Sequence, residues 1–235
     1  LMNSWVKIDL PKGLDLAITL NSGQAFRWQR TGPDEPWSGF IGDDLVLLWP
    51  YLEGLWIDSY PLLPINIIER VRDYLRLDDD LPAIQHRLSG DPHVASAIRA
   101  FPGLRLLRQD PWETLAAFIL SSTNNMKRIT LIVENLASAL GAPVDVRGIA
   151  RNTFPAPQRI VQAGEKKLRY LGCGFRAPYL LAAAQAIISG DLPLYQLRNQ
   201  PYDLIHQQLT RLYGVGDKIA DCTMLFSLDR LDITN

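Results

Sequence analysis

The sequence has little cysteine and histidine, no long apolar run and no surplus of positive charge. Its two cysteines, Cys173 and Cys222, cannot form a disulfide framework, so we expect a reducing, intracellular compartment. Three scattered histidines argue against a structural zinc site, and we expect neither metal nor cofactor. No apolar stretch approaches the roughly 18 residues of a membrane span. The first ten residues also lack the pattern of a secretory signal.

Charge is close to balanced, with 24 basic and 25 acidic residues and a net charge of −1. Nucleic-acid-binding domains usually carry a basic surplus, so this balance argues mildly against a nucleic-acid partner. The local distribution is uneven. Acids gather at 78–80, whereas Lys127 with Arg128 and the segment 166–169 are basic. Such clusters more often form a solvated face than a binding surface, so charge alone leaves both open.

The chain is β-like at its start and helical afterwards. Alternating apolar residues and Gly, Pro and Asp turn signals predict short strands at 14–20, 26–28, 37–40 and 45–49. Helical periodicity predicts helices at 65–75, 127–140, 156–163, 177–189, 202–212 and 217–228, and capping signals predict a further helix that starts at 110–113. We expect an α+β fold: a small N-terminal antiparallel sheet domain over 1–63, then an all-helical domain over 64–235.

The segment Gly214-Val215-Gly216 separates the last two predicted helices, giving a helix–hairpin–helix at about 202–228. Free N–H groups at the start of the second helix can bind a phosphate. Taken alone, Gly-x-Gly is more often a tight turn between helices. Lys218 follows in the first helical turn, where the helix dipole favours the neutral amine, a nucleophile that forms Schiff bases. The alternative, that the Lys218 side chain simply extends into water, is about equally consistent with the local sequence.

Five ordered motifs resemble the 8-oxoguanine DNA glycosylases of the helix–hairpin–helix superfamily, which have a TBP-like N-terminal sheet. The motifs are SGQAFRW (22–28), RLLRQDP (105–111), SSTNNMKRI (121–129), LGCGFRA (171–177) and GVGDKIADC (214–222). The resemblance extends from about residue 21 to 229. It implies an enzyme that flips oxidised guanine out of duplex DNA, excises it opposite cytosine through a lysine Schiff base, and then cleaves the strand by β-elimination.

The resemblance also implies roles for individual residues. Lys218 matches the catalytic nucleophile, Gly23 the glycine whose carbonyl accepts the N7 hydrogen of 8-oxoguanine, and Cys222 the residue that packs on the flipped base. The hairpin residues Gly214, Val215 and Gly216 would contact DNA. Other motif positions match residues facing the orphaned cytosine: the pair Arg128 and Arg176, the aromatic wedge Phe175, and Thr123, where the family commonly has Asn. Since Thr lacks an amide, we expect looser opposite-base selectivity.

The family's catalytic aspartate, nineteen residues after the lysine, would occupy position 237, and a closing helix would follow it. The resemblance therefore implies that the chain as given is either a fragment of an active enzyme, which we favour, or a truncated form with poor activity. It implies a monomer acting on duplex DNA in the cytoplasm or nucleoid of a prokaryote or in a eukaryotic nucleus. Two alternatives stay open: a glycosylase for alkylated purines, which Lys218 argues against, and a non-catalytic DNA-binding module.

Overall fold

The computed structural model describes residues 5–11, 13–51 and 54–232, and it begins with a four-stranded sheet. The strands are β1 (Val6–Asp9), β2 (Trp37–Ile41), β3 (Asp44–Tyr51) and β4 (Gly54–Tyr60). They lie in the order β1-β4-β3-β2, and every neighbouring pair is antiparallel. The antiparallel sheet and the strands at 37–40 and 45–49 are thus confirmed, whereas β1 and β4 were not foreseen.

The predicted strand over 14–20 is wrong, because this segment contains the short helix α1 (Leu16–Asn21). The Asp15 carboxylate accepts a hydrogen bond from the backbone N–H of Ile18 at 2.9 Å and so caps the helix. Leu16, Thr19 and Leu20 form its buried face. Alternating apolar residues over so few positions fit either structure, and the capping aspartate favours the helix. Residues 26–28 also lie outside the strands.

The sheet is buried on both faces. On one face, Val46, Leu48 and Ile57 pack with the helix α2 (Pro64–Tyr74). On the other, Leu45 and Leu47 meet a second hairpin, β5 (Pro143–Val146) and β6 (Ile149–Asn152), which the sequence did not predict. Because the sheet's apolar core includes residues of α2, the sheet and the helical part are packed together. The division at residue 63 stays a prediction.

Most of the remaining chain is helical, as predicted, although the β5–β6 hairpin interrupts it and the helices Leu81–Leu88 and Pro92–Ala100 were not predicted. The helices are α3 (Leu81–Leu88), α4 (Pro92–Ala100), α5 (Pro111–Ser121), α6 (Met126–Leu140), α7 (Pro157–Leu168), α8 (Ala177–Ser189), α9 (Tyr202–Thr210) and α10 (Asp217–Ser227). Asp110 caps α5 by accepting from the N–H of Glu113, as its sequence indicated. α10 packs against α5 and α9, and the buried faces of these helices form one large apolar core.

One helical stretch, Pro157–Ser189, is long and apolar enough to cross a membrane by length and composition. Its backbone leaves helical geometry at Gly164 and Gly172, so it is not one straight helix. Leu168, Leu180 and other apolar side chains of the stretch are buried in the core. Packing inside the protein therefore accounts for part of its apolar composition.

Candidate functional site

The turn between α9 and α10 has the geometry of an anion-binding hairpin. Gly214 has a positive φ of 83°, a conformation that glycine adopts without strain. Val215 is buried in the core, so its side chain anchors the turn and only its backbone faces outward. Gly216 precedes α10 with no side chain capping the helix, which leaves the N–H groups of Asp217 and Lys218 open to a phosphate, whereas that of Ile219 donates to the Gly216 carbonyl.

Lys218 and Cys222 lie one turn apart on α10, so their side chains share a face. Lys218 is exposed, whereas Cys222 is half-buried. Burial raises the pKa of the Cys222 thiol, although the positive charge of Lys218 acts in the opposite direction. The thiol is therefore neutral at physiological pH. An accessible amine beside an uncharged, polarisable sulfur suits a site that holds a flat neutral ring and attacks an atom next to it.

A buried acid on the same helix helps to hold α10 in place relative to α9, and it was not among the predicted site residues. The Tyr202 hydroxyl of α9 donates to the Asp221 carboxylate at 3.0 Å. The Tyr202 ring stacks on His206, whose Nε2 lies 3.1 Å from Asp217 Oδ1 in the first turn of α10. These contacts set the position of α10, and hence of Lys218, relative to α9. An acidic residue on the buried face of a helix was the available sequence signal.

Gly23 lies in a loop whose space is limited by α6. A Cβ at Gly23 would be 2.8 Å from Met126 Cε, and the φ of Gly23 is 85°. The positive φ favours glycine here, whereas the flexible end of the Met126 side chain could move to relieve the contact. Met126 is half-exposed and was not among the predicted site residues, although it belongs to the same motif as Thr123 and Arg128.

The Gly23 loop is held by the neighbouring glutamine. Buried Gln24 donates to the Arg105 carbonyl at 2.8 Å and accepts from the Leu107 N–H at 2.7 Å. Its own carbonyl accepts from Gln109 Nε2 at 2.7 Å, and the Gln109 N–H donates to the Phe226 carbonyl of α10 at 2.8 Å. The motifs at 22–28 and 105–111 therefore meet, and they connect the Gly23 loop to the helix that carries Lys218.

A second cluster lies around Arg176, which is buried. Its Nε donates to the Ser122 carbonyl at 2.7 Å, and its Nη2 also contacts the carbonyls of Ser122 and Thr123. Thr123 is exposed and has a φ of 51°, which is unusual for a β-branched residue. Burial lowers the pKa of Arg176, and so does the nearby charge of Arg128. The two predicted arginines are thus brought together, with Thr123 beside Arg176.

Phe175 projects next to these arginines. Its ring is half-exposed, and the Arg176 guanidinium carbon lies 4.2 Å from the ring centroid. Arg128 is exposed, and its Nη2 is 3.7 Å from where a Cβ would lie on Gly172. An exposed aromatic ring beside a guanidinium group can enter a base stack while arginines bind an unpaired base.

The two acids nearest the expected catalytic position are both engaged in ion pairs. Asp229 accepts from Arg108 Nε at 2.7 Å and also contacts Arg76. Burial alone would raise its pKa, but these arginines outweigh burial and the pKa is lowered. Asp232 pairs with Arg230 at 2.5 Å. Neither carboxylate is directed by these contacts toward Lys218. Among the described residues, no cluster of His, Cys, Asp and Glu is suited to a metal ion.

Comparison with known proteins covers nearly the whole chain. Residues 7–115 match the profile of the 8-oxoguanine DNA glycosylase N-terminal domain, and residues 116–230 match that of the HhH-GPD superfamily base excision DNA repair proteins. The N-glycosylase/DNA lyase OGG1 of Arabidopsis thaliana is 35% identical over an alignment of 227 positions that covers 92% of this chain. The chain spans 61% of that relative's length.

Two solved structures are similar over most of their length. MBOgg1 in complex with a low-affinity DNA ligand has a TM-score of 0.91 and 35% identity, over 97% of this chain and 78% of that one. The 8-oxoguanine glycosylase/lyase of Clostridium acetobutylicum, in complex with DNA containing cytosine opposite 8-oxoG, has a TM-score of 0.86 and 29% identity. That match covers 93% of this chain and 74% of the clostridial one.

Proposed function

Because this chain belongs to the 8-oxoguanine DNA glycosylase family of the HhH-GPD superfamily, we propose that it excises 8-oxoguanine opposite cytosine from duplex DNA and then cleaves the abasic strand. The observation that carries the proposal is the exposed Lys218 amine on α10, directly after an open hairpin and one turn before Cys222. A target nucleotide must leave the duplex to reach such an amine, since its sugar carbon is shielded in the stack.

In the proposed reaction, the neutral amine of Lys218 attacks C1′ of the flipped nucleotide. The C1′–N9 bond breaks, and the base leaves with the bonding electrons and takes up a proton. Opening of the sugar ring at the C1′–O4′ bond gives a protonated Schiff base. Loss of a C2′ proton then expels the 3′ phosphate as the C3′–O bond breaks, which nicks the strand.

Base recognition would depend on Gly23 and Cys222. The Gly23 carbonyl would accept the N7 hydrogen of 8-oxoguanine, whereas guanine presents an unprotonated N7 that would face the carbonyl as a second acceptor. The Cys222 sulfur would pack on one face of the base. The fixed position of the Gly23 loop, through Gln24 and Gln109, supports this role because a misplaced carbonyl would discriminate poorly.

The opposite strand would be recognised by the cluster around Arg176. Arg128 and Arg176 would donate to N3 and O2 of the cytosine, Phe175 would fill the stack beside it, and Thr123 would occupy the hole left by the flipped base. The Gly214–Gly216 backbone would hold a phosphate. We propose a monomer that acts wherever the cell keeps its DNA.

Borohydride trapping tests the nucleophile. Lys218→Gln keeps roughly the same side-chain length but removes the amine, so it should abolish the covalent adduct with abasic DNA while leaving binding to that DNA within about threefold. Lys167→Gln, which removes another exposed lysine, serves as the matched control and should be trapped like the parent. Abasic DNA is chosen because its aldehyde condenses with an amine without prior base removal.

The same assay with 8-oxoguanine opposite each normal base tests the substrate. We expect adduct and nicking to form fastest opposite cytosine. Unchanged trapping of Lys218→Gln would show that another group is the nucleophile. If the protein were trapped on abasic DNA and excised alkylated purines but not 8-oxoguanine, the proposed substrate would be wrong.

A further inference from the structure

Tyr179, a residue outside the predicted site, connects the Phe175 wedge to the hairpin. It lies on α8, one turn after Phe175, and the two rings meet edge to face with centroids 6.2 Å apart. On its other side the Tyr179 ring meets Tyr213 edge to face at 4.7 Å. Tyr213 immediately precedes Gly214 in the hairpin. One ring therefore touches the two elements that would hold different parts of the duplex.

The contact with the hairpin is close enough to require glycine. A Cβ on Gly214 would lie 2.2 Å from Tyr179 Cγ and 2.4 Å from Cδ2, so the hairpin backbone rests directly on the ring. A flat, stiff side chain in that position leaves the hairpin little room to move relative to α8. Contacts thus run without a break from Phe175 through Tyr179 to Gly214.

We propose that Tyr179 is a positioning residue that couples phosphate binding at the hairpin to insertion of Phe175 beside the orphaned cytosine. This inference rests on the proposed function, because it needs Phe175 to enter the duplex. When the hairpin backbone binds a phosphate, the ring that it rests on is held in place. That ring in turn holds Phe175 at the angle needed for entry into the base stack, and Tyr179 touches no DNA itself.

The aromatic ring, and not the hydroxyl, performs this coupling. Within the described part of the chain the Tyr179 hydroxyl makes no hydrogen bond, and the side chain is only half-buried. Tyr179→Phe should therefore behave like the parent. Tyr179→Leu keeps apolar volume but loses the flat ring, so it should leave the hairpin and Phe175 to move independently.

Fluorescence of 2-aminopurine measures the insertion directly. The duplex carries a stable tetrahydrofuran abasic analogue opposite the cytosine. The probe is the base next to that cytosine, where an entering ring would unstack it. We expect the parent and Tyr179→Phe to raise the fluorescence equally, and Phe175→Ala to lose most of the rise. For Tyr179→Leu, an edge-to-face pair predicts about a two- to tenfold loss in the equilibrium for insertion, with little change in melting temperature.

A double-mutant cycle separates coupling from general loosening. If Tyr179 acts through Phe175, the variant carrying both Tyr179→Leu and Phe175→Ala should show no less insertion than Phe175→Ala alone. Additive losses, or full insertion by Tyr179→Leu, would overturn the coupling. If Tyr179→Leu fails to fold, Tyr213→Leu at the exposed end of the series should show the same loss, and parental insertion there would overturn the inference. No fluorescence rise with the parent chain would contradict the proposed function itself.

Discussion

At the scale of single residues, Thr123 combines a site position with backbone strain. Its φ of 51° is in the left-handed region, which costs a β-branched residue on the order of 1 kcal/mol. Arg176 binds the carbonyls of Ser122 and Thr123 and so stabilises this conformation. The strain is therefore supported by a residue that we also assign to cytosine binding. Sequence alone could identify Thr123 as a departure from the family pattern, but not its dihedral angle.

Replacing Thr123 by asparagine should relieve that strain. Asparagine tolerates left-handed backbone, so Thr123→Asn should raise the free energy of unfolding by about 0.5–1 kcal/mol. Its amide can donate and accept at once, so excision should also become more selective for cytosine. Urea denaturation and excision rates opposite each base measure the two effects. Thr130→Asn, the same change inside helix α6, is the control and should not stabilise; equal effects at both positions would show that strain at 123 is unimportant.

At the scale of secondary-structure elements, α5 carries a partly buried acid that links three parts of the chain. Glu113 lies 3.8 Å from Arg27 in the loop after α1, and Arg27 also pairs with Glu134 of α6 at 2.9 Å. Burial raises the pKa of Glu113 to about 7, although Arg27 partly opposes this. The charge of Glu113 is thus poorly stabilised at neutral pH. The sequence predicted Glu113 as part of the α5 capping pattern and gave no sign of its burial.

This pKa shift predicts a pH dependence of stability. Between the ordinary carboxyl pKa and about 7, the folded protein binds more protons at Glu113 than the unfolded chain, so stability falls as pH rises. Glu113→Gln removes this titration. The difference in free energy of unfolding between the variant and the parent should therefore increase, in favour of the variant, by on the order of 1–3 kcal/mol from pH 5 to pH 7.5. Denaturation at both pH values measures the gain. Glu165→Gln, at a more exposed helix position, should track the parent; a constant offset for Glu113→Gln would contradict the prediction.

At the scale of the whole molecule, a net charge of −1 coexists with an expected basic face. Several carboxylates are paired with arginines away from the hairpin, as Asp229 is with Arg108, whereas Lys127 makes no ion pair within the described ranges. Binding to DNA should weaken as salt rises, because phosphate contacts release counterions. The net charge argued against a nucleic-acid partner because it sums acidic and basic residues that the fold places in different parts of the molecule.

The salt dependence can be assigned to individual side chains. Lys127→Ala should reduce the slope of log affinity against log salt by about 1, as expected for one lost phosphate contact. Lys7→Ala is the matched control, since Lys7 lies on β1 beside Asp9 at 3.8 Å and outside the proposed face. Its slope should equal that of the parent. Affinity independent of ionic strength would remove the basic face from the proposal.

How much of the molecule was predictable depended on the range of the interactions. Helices α5 and α6 and the hairpin have their signals within a few residues, as with the capping by Asp110, and their positions are confirmed. Helix α1 was missed because its apolar residues also alternate. The β5–β6 hairpin and the contact of Tyr179 with Gly214 were missed because they depend on residues distant in sequence. Roles taken from the family resemblance stay predictions at each residue.

The bonds of Gln109 have a consequence for how such proteins diversify. Gln109 joins the carbonyl of Gln24, in the amino-terminal region, to the carbonyl of Phe226 on the helix of Lys218. The residues proposed for lesion recognition and for bond breaking thus share one hydrogen-bonded frame, although they lie about 200 positions apart. Recombination that exchanged either region alone would join two frames of different dimensions. We therefore expect that exchanging either region alone with a relative would disturb the other, whereas point substitutions within one region would not.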